Sequence, residues 1–173
     1  IRRAKVPLTV CVDEIAASGG YMMACVADRV LAAPFAVLGS IGVVAQIPNF
    51  NRLLRKHEID IELHTAGEYK RTLTMFGENT DKAREKFREE LEDVHGLFKA
   101  FVGQWRPQVD LATVATGEHW FALRAKELHL VDELMTSDEY LVNSAKDADV
   151  FHVHWQHRKT LAERMGFAME GAV

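Results

Sequence analysis

The apolar positions of this chain fall into two rhythms, one of strands and one of helices. From Val6 to Val12 apolar residues follow one another between flanking charges, as in a buried strand. Ala16 to Asp28 reads as a small-residue helix opened by Ser18-Gly19-Gly20, which completes a strand, turn, helix unit. A short strand is predicted around Val30 to Ala33, then a break at Pro34, a turn at Gly39-Ser40-Ile41-Gly42 and a further strand at Val43 to Gln46. A short helix from Asn49 to His57 leads into Ile59 to Thr65, whose apolar and polar residues alternate with strand period.

The clearest signal lies between Asn79 and Arg106. Phe87, Leu91, Val94, Phe98, Phe101 and Trp105 recur at spacings of three and four, so they lie along one side of a helix that faces a core or a subunit. Thr80 supplies its start and Pro107 its stop. The stretch Gly67 to Gly77 keeps neither period and reads as a loop. Further on, the pattern predicts a turn at Gly117 to Trp120, a helix at Ala122 to His129, a short extended piece at Val131 to Leu134 and a helix at Asp138 to Lys146. A terminal strand at Val150 to Trp155 and a closing helix at Lys159 to Met169 follow. Strands and helices alternating through short connections predict an α/β domain with a largely parallel sheet.

Composition narrows the picture. A chain of 173 residues, 48% of them hydrophobic, buries enough for one core, so residues 1–173 are read as one globular domain or the larger part of one. The net charge of -4 gives no electrostatic reason for nucleic acid, which leaves proteins or peptides as partners. Asp13, Glu14, Asp28 and Arg29 interrupt the most apolar region, so no run is long enough to span a bilayer. The first residues lack a secretory signal and an initiator Met, as expected of a chain that begins inside a domain. Cys11 and Cys25 read as small buried hydrophobes. Of eight histidines, His152, His154 and His157 cluster, yet no cysteine or carboxylate is spaced to complete a metal site. No metal or cofactor is expected.

The chemistry centres on Ser18. It stands between a strand and a helix, where its hydroxyl is presented at a helix N-terminus and the Gly19 N–H can face a developing oxyanion. A serine in that position is more often only a helix cap. Ala16-Ala17-Ser18-Gly19-Gly20 does not match the G-x-S-x-G elbow of α/β-hydrolases. Together, however, A-S-G-G-Y from Ala17 to Tyr21, G-S-I-G-V from Gly39 to Val43 and G-E-Y-K-R from Gly67 to Arg71 closely resemble the signal peptide peptidase family, including its SohB-type members. G-E-H-W and the pattern ending at Leu134 extend the resemblance over nearly the whole chain.

The resemblance implies a crotonase-like (ClpP/crotonase) fold, of which this chain is the C-terminal portion, and a serine endopeptidase acting through an acyl-enzyme. It assigns Ser18 as nucleophile, Lys70 as general base, Ser40 as the hydroxyl that orients the lysine amine, and Gly19 as an oxyanion donor. Read from its position, Tyr21 is either a wall of the substrate cleft or a core-packing residue. A lysine accepts a proton only when neutral, so Lys70 is expected to be buried beside Ser18, away from counter-charge, with Glu68 and Arg71 turned outward. The resemblance also implies extended peptide substrates, such as cleaved signal peptides or misfolded membrane-associated proteins, and a homo-oligomer that can pair a serine with a neighbour's lysine. It places the protein at the bacterial inner membrane, anchored by an upstream segment. Two other readings compete: a crotonase-like scaffold for membrane partners with a vestigial dyad, and, by fold analogy alone, an enzyme acting on acyl thioesters.

Overall fold

A computed structural model describes residues 6–154 of the chain. They fall into two compact units, one ending at Tyr140 and one beginning at Leu141.

The first unit opens with β1 (Thr9–Val12) and β2 (Ile15–Ala17), followed by α1 (Gly19–Ala24), β3 (Arg29–Ala32), β4 (Val37–Gly39) and α2 (Asn51–Lys56). The long helix α3 (Asp81–Trp105) leads to α4 (Leu111–Val114), β5 (His119–Phe121), α5 (Ala122–Glu127), β6 (Glu133–Leu134) and the start of α6 (Ser137–Ser144). Two three-stranded sheets result, ordered β1-β3-β6 and β2-β4-β5. Every pairing is parallel except that of β4 with β5, so the α/β class and the mostly parallel pairing follow the sequence pattern.

Several elements differ from the pattern, among them the turn expected at Gly117 to Trp120, whose His119 and Trp120 belong to β5 because they pair with β4. Ala16 and Ala17 belong to β2, and α1 begins only at Gly19: the small residues serve close strand packing before they serve a helix. The strand expected at Val43 to Gln46 is absent, and the pairing strand lies earlier, at β4, before the glycine turn. Ile59 to Thr65 carries no strand either, since no ladder partner meets it among the described residues; Ile59, Ile61 and Leu63 are about half exposed. In the second unit, Val150 to His154 is likewise not a strand. The expected closing helix lies outside the described residues.

α3 is capped as its sequence asks, the Thr80 side chain accepting from the Ala83 N–H at 3.2 Å. Its predicted stripe is only partly inward: Phe98 is buried, while Val94 is 50% exposed. The inward row is instead Leu91, His95, Phe98 and Val102, again at helical spacing. Phe98 and Val102 join a core of Tyr21, Cys25, Val30, Leu38, Ile41 and Leu130. At the C-terminal end of α3, Arg106 is buried and makes a two-pronged ion pair with Asp132, both bonds 2.8 Å, while its Nη2 also donates to the His129 carbonyl at 2.9 Å. Asp132 accepts as well from the Val30 N–H at 2.7 Å, which ties α3, β3 and the turn before β6 together.

Candidate active site

The register of one sheet brings two serines together. β2 and β4 run parallel with Ala17 opposite Gly39, so Ser18 and Ser40 leave adjacent strands at the same level. The Ser18 N–H donates to the Gly39 carbonyl at 2.8 Å, and the Ser40 N–H to the Glu118 carbonyl at 2.6 Å. Both serines have φ of 52°, in the left-handed region where side chains other than glycine are strained. Such strain persists only where the surroundings impose it, here at the sharp turns that end two paired strands.

Ser18 stands at the cap position of α1 but does not cap it with its hydroxyl. Its side chain makes no capping bond to α1, so the hydroxyl is left free, while its carbonyl accepts the first helical bond from the Met22 N–H at 3.0 Å. A strained strand-to-helix turn thus presents Ser18 much as a hydrolase elbow would, without the G-x-S-x-G sequence. Gly19 and Gly20 open α1, and a Cβ built on either meets nothing within 4 Å. Their backbone is therefore approachable, and the first N–H groups of a helix have no intrahelical partner.

Ser18 and Ser40 line one cavity of about 550 Å³ together with Gly42, Val43, Val44, His95, Thr116 and Gly117. Its floor is tight: a Cβ on Gly42 would lie 2.7 Å from the Gly117 Cα, so glycine there lets two backbone segments touch. No carboxylate or ammonium lines it. His95 is the cavity residue that sequence reasoning missed. Attention to Val94 as the helix stripe passed over its neighbour, although the inward row of Leu91, Phe98 and Val102 points to it. His57 and His64 are exposed and do not line this cavity.

Lys70 is elsewhere in the single chain. It is exposed, against the expectation of burial, and it does not line the Ser18 cavity. Its loop lies on the surface of α3, held by polar contacts that leave it open to solvent. Glu68 pairs with Lys82 at 2.7 Å, the Tyr69 ring lies 5.8 and 5.5 Å below the Lys82 and Lys86 ammonium groups, and Thr72 donates to Glu90 at 3.3 Å. The hydrogen bond from Lys82 holds the Glu68 carboxyl below its ordinary range.

Of the two readings of Tyr21, the structure has core packing and not a cleft wall. Its side chain is 0% exposed, and its hydroxyl donates to the Leu130 carbonyl at 3.0 Å. Burial, opposed by the nearby Arg106 charge, raises its pKa well above that of an ordinary phenol. Its aromatic bulk is spent on fixing α1 to the core. No cluster of metal-ligating residues occurs among the described residues, and no described helix is long and apolar enough to cross a membrane.

A strained serine turn, an open glycine pair and a hydroxyl-lined cavity free of carboxylate and ammonium groups thus lie together in this chain. Residues 1–151 match peptidase family S49, and the chain belongs to that family. It is a SohB-type member. It is 54% identical over 166 residues to the "Probable protease SohB" of Haemophilus influenzae, covering 96% of this chain and 47% of that protein. It is also 54% identical to the protein of the same name from Buchnera aphidicola subsp. Acyrthosiphon pisum, covering 95% of this chain and 49% of that one. A "Putative protease MJ0651" of Methanocaldococcus jannaschii is 29% identical over 84% of this chain and 48% of its own length. The chain thus spans about half the length of these relatives. Membership carries with it the crotonase-like α/β fold expected from the sequence. Among solved structures, an enoyl-CoA hydratase subunit I from Geobacillus kaustophilus overlays with a TM-score of 0.35 at 16% identity, covering 82% of this chain and 38% of that one, too loosely to carry a conclusion.

Proposed function

We propose that this chain carries the nucleophile of a serine endopeptidase, with Ser18 attacking the scissile carbonyl and Lys70 acting as its general base. The observation that carries the reading is the uncapped, strained Ser18 opening into a cavity that it shares with Ser40. In the first step the Ser18 Oγ forms a bond to the carbonyl carbon while the neutral Lys70 amine takes its proton, and the Gly19 N–H receives the developing oxyanion. Collapse breaks the peptide C–N bond, and the lysine returns the proton to the leaving amine. Water then hydrolyses the ester by the same relay. A cavity without charged groups suits this chemistry, since a carboxylate there would hold the amine in its charged form. The open Gly19-Gly20 face favours an extended substrate backbone, cleaved signal peptides and misfolded membrane-associated chains being candidates.

Because Lys70 lies away from Ser18 in one chain, the active form is a homo-oligomer in which the loop of a neighbouring subunit delivers the lysine. Anchoring to the bacterial inner membrane through an upstream segment belongs to the same reading. The competing scaffold with a vestigial dyad draws on the exposure of Lys70. The test is covalent labelling of the intact, oligomeric protein with a serine-reactive phosphonate, read by intact mass. An adduct on the wild type that Ser18→Ala and Lys70→Ala both abolish supports the peptidase; no adduct on the oligomeric wild type favours the scaffold.

A further inference from the structure

The wall of the Ser18 cavity holds a group that the dyad does not use. His95 lines it, and the His95 Nε2 is buried with no hydrogen-bond partner among the described residues. Leaving a buried polar atom unpaired is costly, so folded proteins rarely keep one without a use. Three neighbours on the same wall, Ser18, Ser40 and Thr116, carry hydroxyls, and the Thr116 hydroxyl is already given to Glu118 at 2.8 Å.

The base that the proposed reaction needs sets a count. A neutral lysine amine has one lone pair and two N–H donors. The lone pair must face the Ser18 hydroxyl, whose proton it takes, and the two N–H groups, once inside the cavity and out of water, require two acceptors. Ser40 supplies one. Both acceptors must be uncharged, because an anion would lock the amine as ammonium. An imidazole with its proton on Nδ1 presents Nε2 as a neutral acceptor, and His95 is the cavity residue that fits. We infer that His95 is a positioning residue of the hydrolytic site, its Nε2 accepting the second N–H of the Lys70 amine while Ser40 accepts the first. Nε2 is shielded in the single chain, so docking of the amine turns the ring about its Cβ–Cγ bond. The inference rests on the Ser18/Lys70 reading and explains why the nitrogen waits unpaired when the lysine is elsewhere.

Two substitutions separate this role from a structural one. His95→Leu removes the acceptor and with it an unpaired buried atom, so the intact protein should unfold at the same temperature or higher. His95→Gln keeps an acceptor near the position of Nε2. With a fluorophosphonate on the intact oligomer, the saturating rate of Ser18 adduct formation should fall about tenfold in His95→Leu, the effect of one lost hydrogen bond, with half-saturation unchanged. His95→Gln should recover to within about threefold of wild type. The inference is overturned if His95→Leu labels at the wild-type rate, if His95→Gln is as slow as His95→Leu, or if only half-saturation moves, which would make His95 a substrate contact. Lys70→Ala run alongside keeps the two failures apart. If it labels like wild type, the lysine reading itself falls and this inference with it; if His95→Leu then abolishes labelling, the imidazole is the base.

Discussion

Replacing Asp132 with alanine should destabilise the protein by about 3 kcal/mol at neutral pH. The substitution strands Arg106, whose side chain is 3% exposed, without its counter-charge, and it also takes the carboxylate from the Val30 N–H. Breaking a buried pair by removing one partner costs roughly 3–5 kcal/mol. The lower end applies because Asp132 is itself 32% exposed, so water can enter the vacated space. The pH dependence has a definite sign. Burial by itself would push the Asp132 carboxyl up, but hydrogen bonds from Arg106 and Val30 and the attraction of the guanidinium together hold it below its ordinary value. A carboxyl lowered on folding lends stability that is complete above its unfolded pKa, near 3.9, and is lost as pH falls through the lower folded value. The gap between wild type and Asp132→Ala should therefore be full at pH 7 and shrink progressively below about pH 4. Equilibrium urea unfolding followed by tryptophan fluorescence, repeated across that range, measures it. A loss below about 1 kcal/mol at pH 7, or a gap that stays constant into acid, would show that the pair does not hold α3 to β3.

Other consequences are as direct. Gly20→Ala meets no neighbour and should leave stability unchanged or raised by up to about 1 kcal/mol, yet slow peptide hydrolysis by obstructing the approach of the substrate backbone; equal loss of both would refute the open-face reading. Gly39→Ala faces a φ of +98° and a Trp120 ring carbon 2.8 Å from the new Cβ, so thermal unfolding should report a loss of at least about 2 kcal/mol. The Cys25 thiol, pushed up to about 11 by burial, should resist iodoacetamide at pH 8 until the protein is unfolded, as intact mass will read.

The sequence was most legible where one physical signal dominated. α3 carries a cap, a helical period and a proline stop, and its observed bounds, Asp81–Trp105, follow them closely. The Ser18 turn was legible through its glycines, because few other residues suit both a strained turn and a close approach. The short strands were not. β2 and β4 have only three residues each, too few for a period, and Ala-Ala before Ser18 satisfies a helix and a strand equally well. Ile59 to Thr65 shows the reverse: it has the alternation of a strand and lacks the neighbour that would make it one, and pairing is a property of two segments. Tyr21 illustrates a limit of adjacency, since a residue three places after Ser18 points into the core. Lys70 and His95 sit on a loop and on a helix face, and their relation to Ser18 depends on tertiary placement that no local pattern encodes.

The parallel register of β2 and β4 also bears on how this site tolerates sequence change. The separation of Ser18 and Ser40 is fixed by backbone pairing, with Ala17 opposite Gly39, and not by the size of the side chains around them. Lineages can therefore exchange Leu38, Ile41 or Val102 for other apolar residues and lose some stability while both hydroxyls keep their places. A one-residue insertion or deletion inside either strand is another matter, because it turns every later side chain to the opposite face and moves one serine away from the other. Length variation in this part of the family should thus be confined to the connections, such as Asp13-Glu14 and Ala33 to Ala36, and the two strands should be inherited as blocks of constant length whose composition drifts.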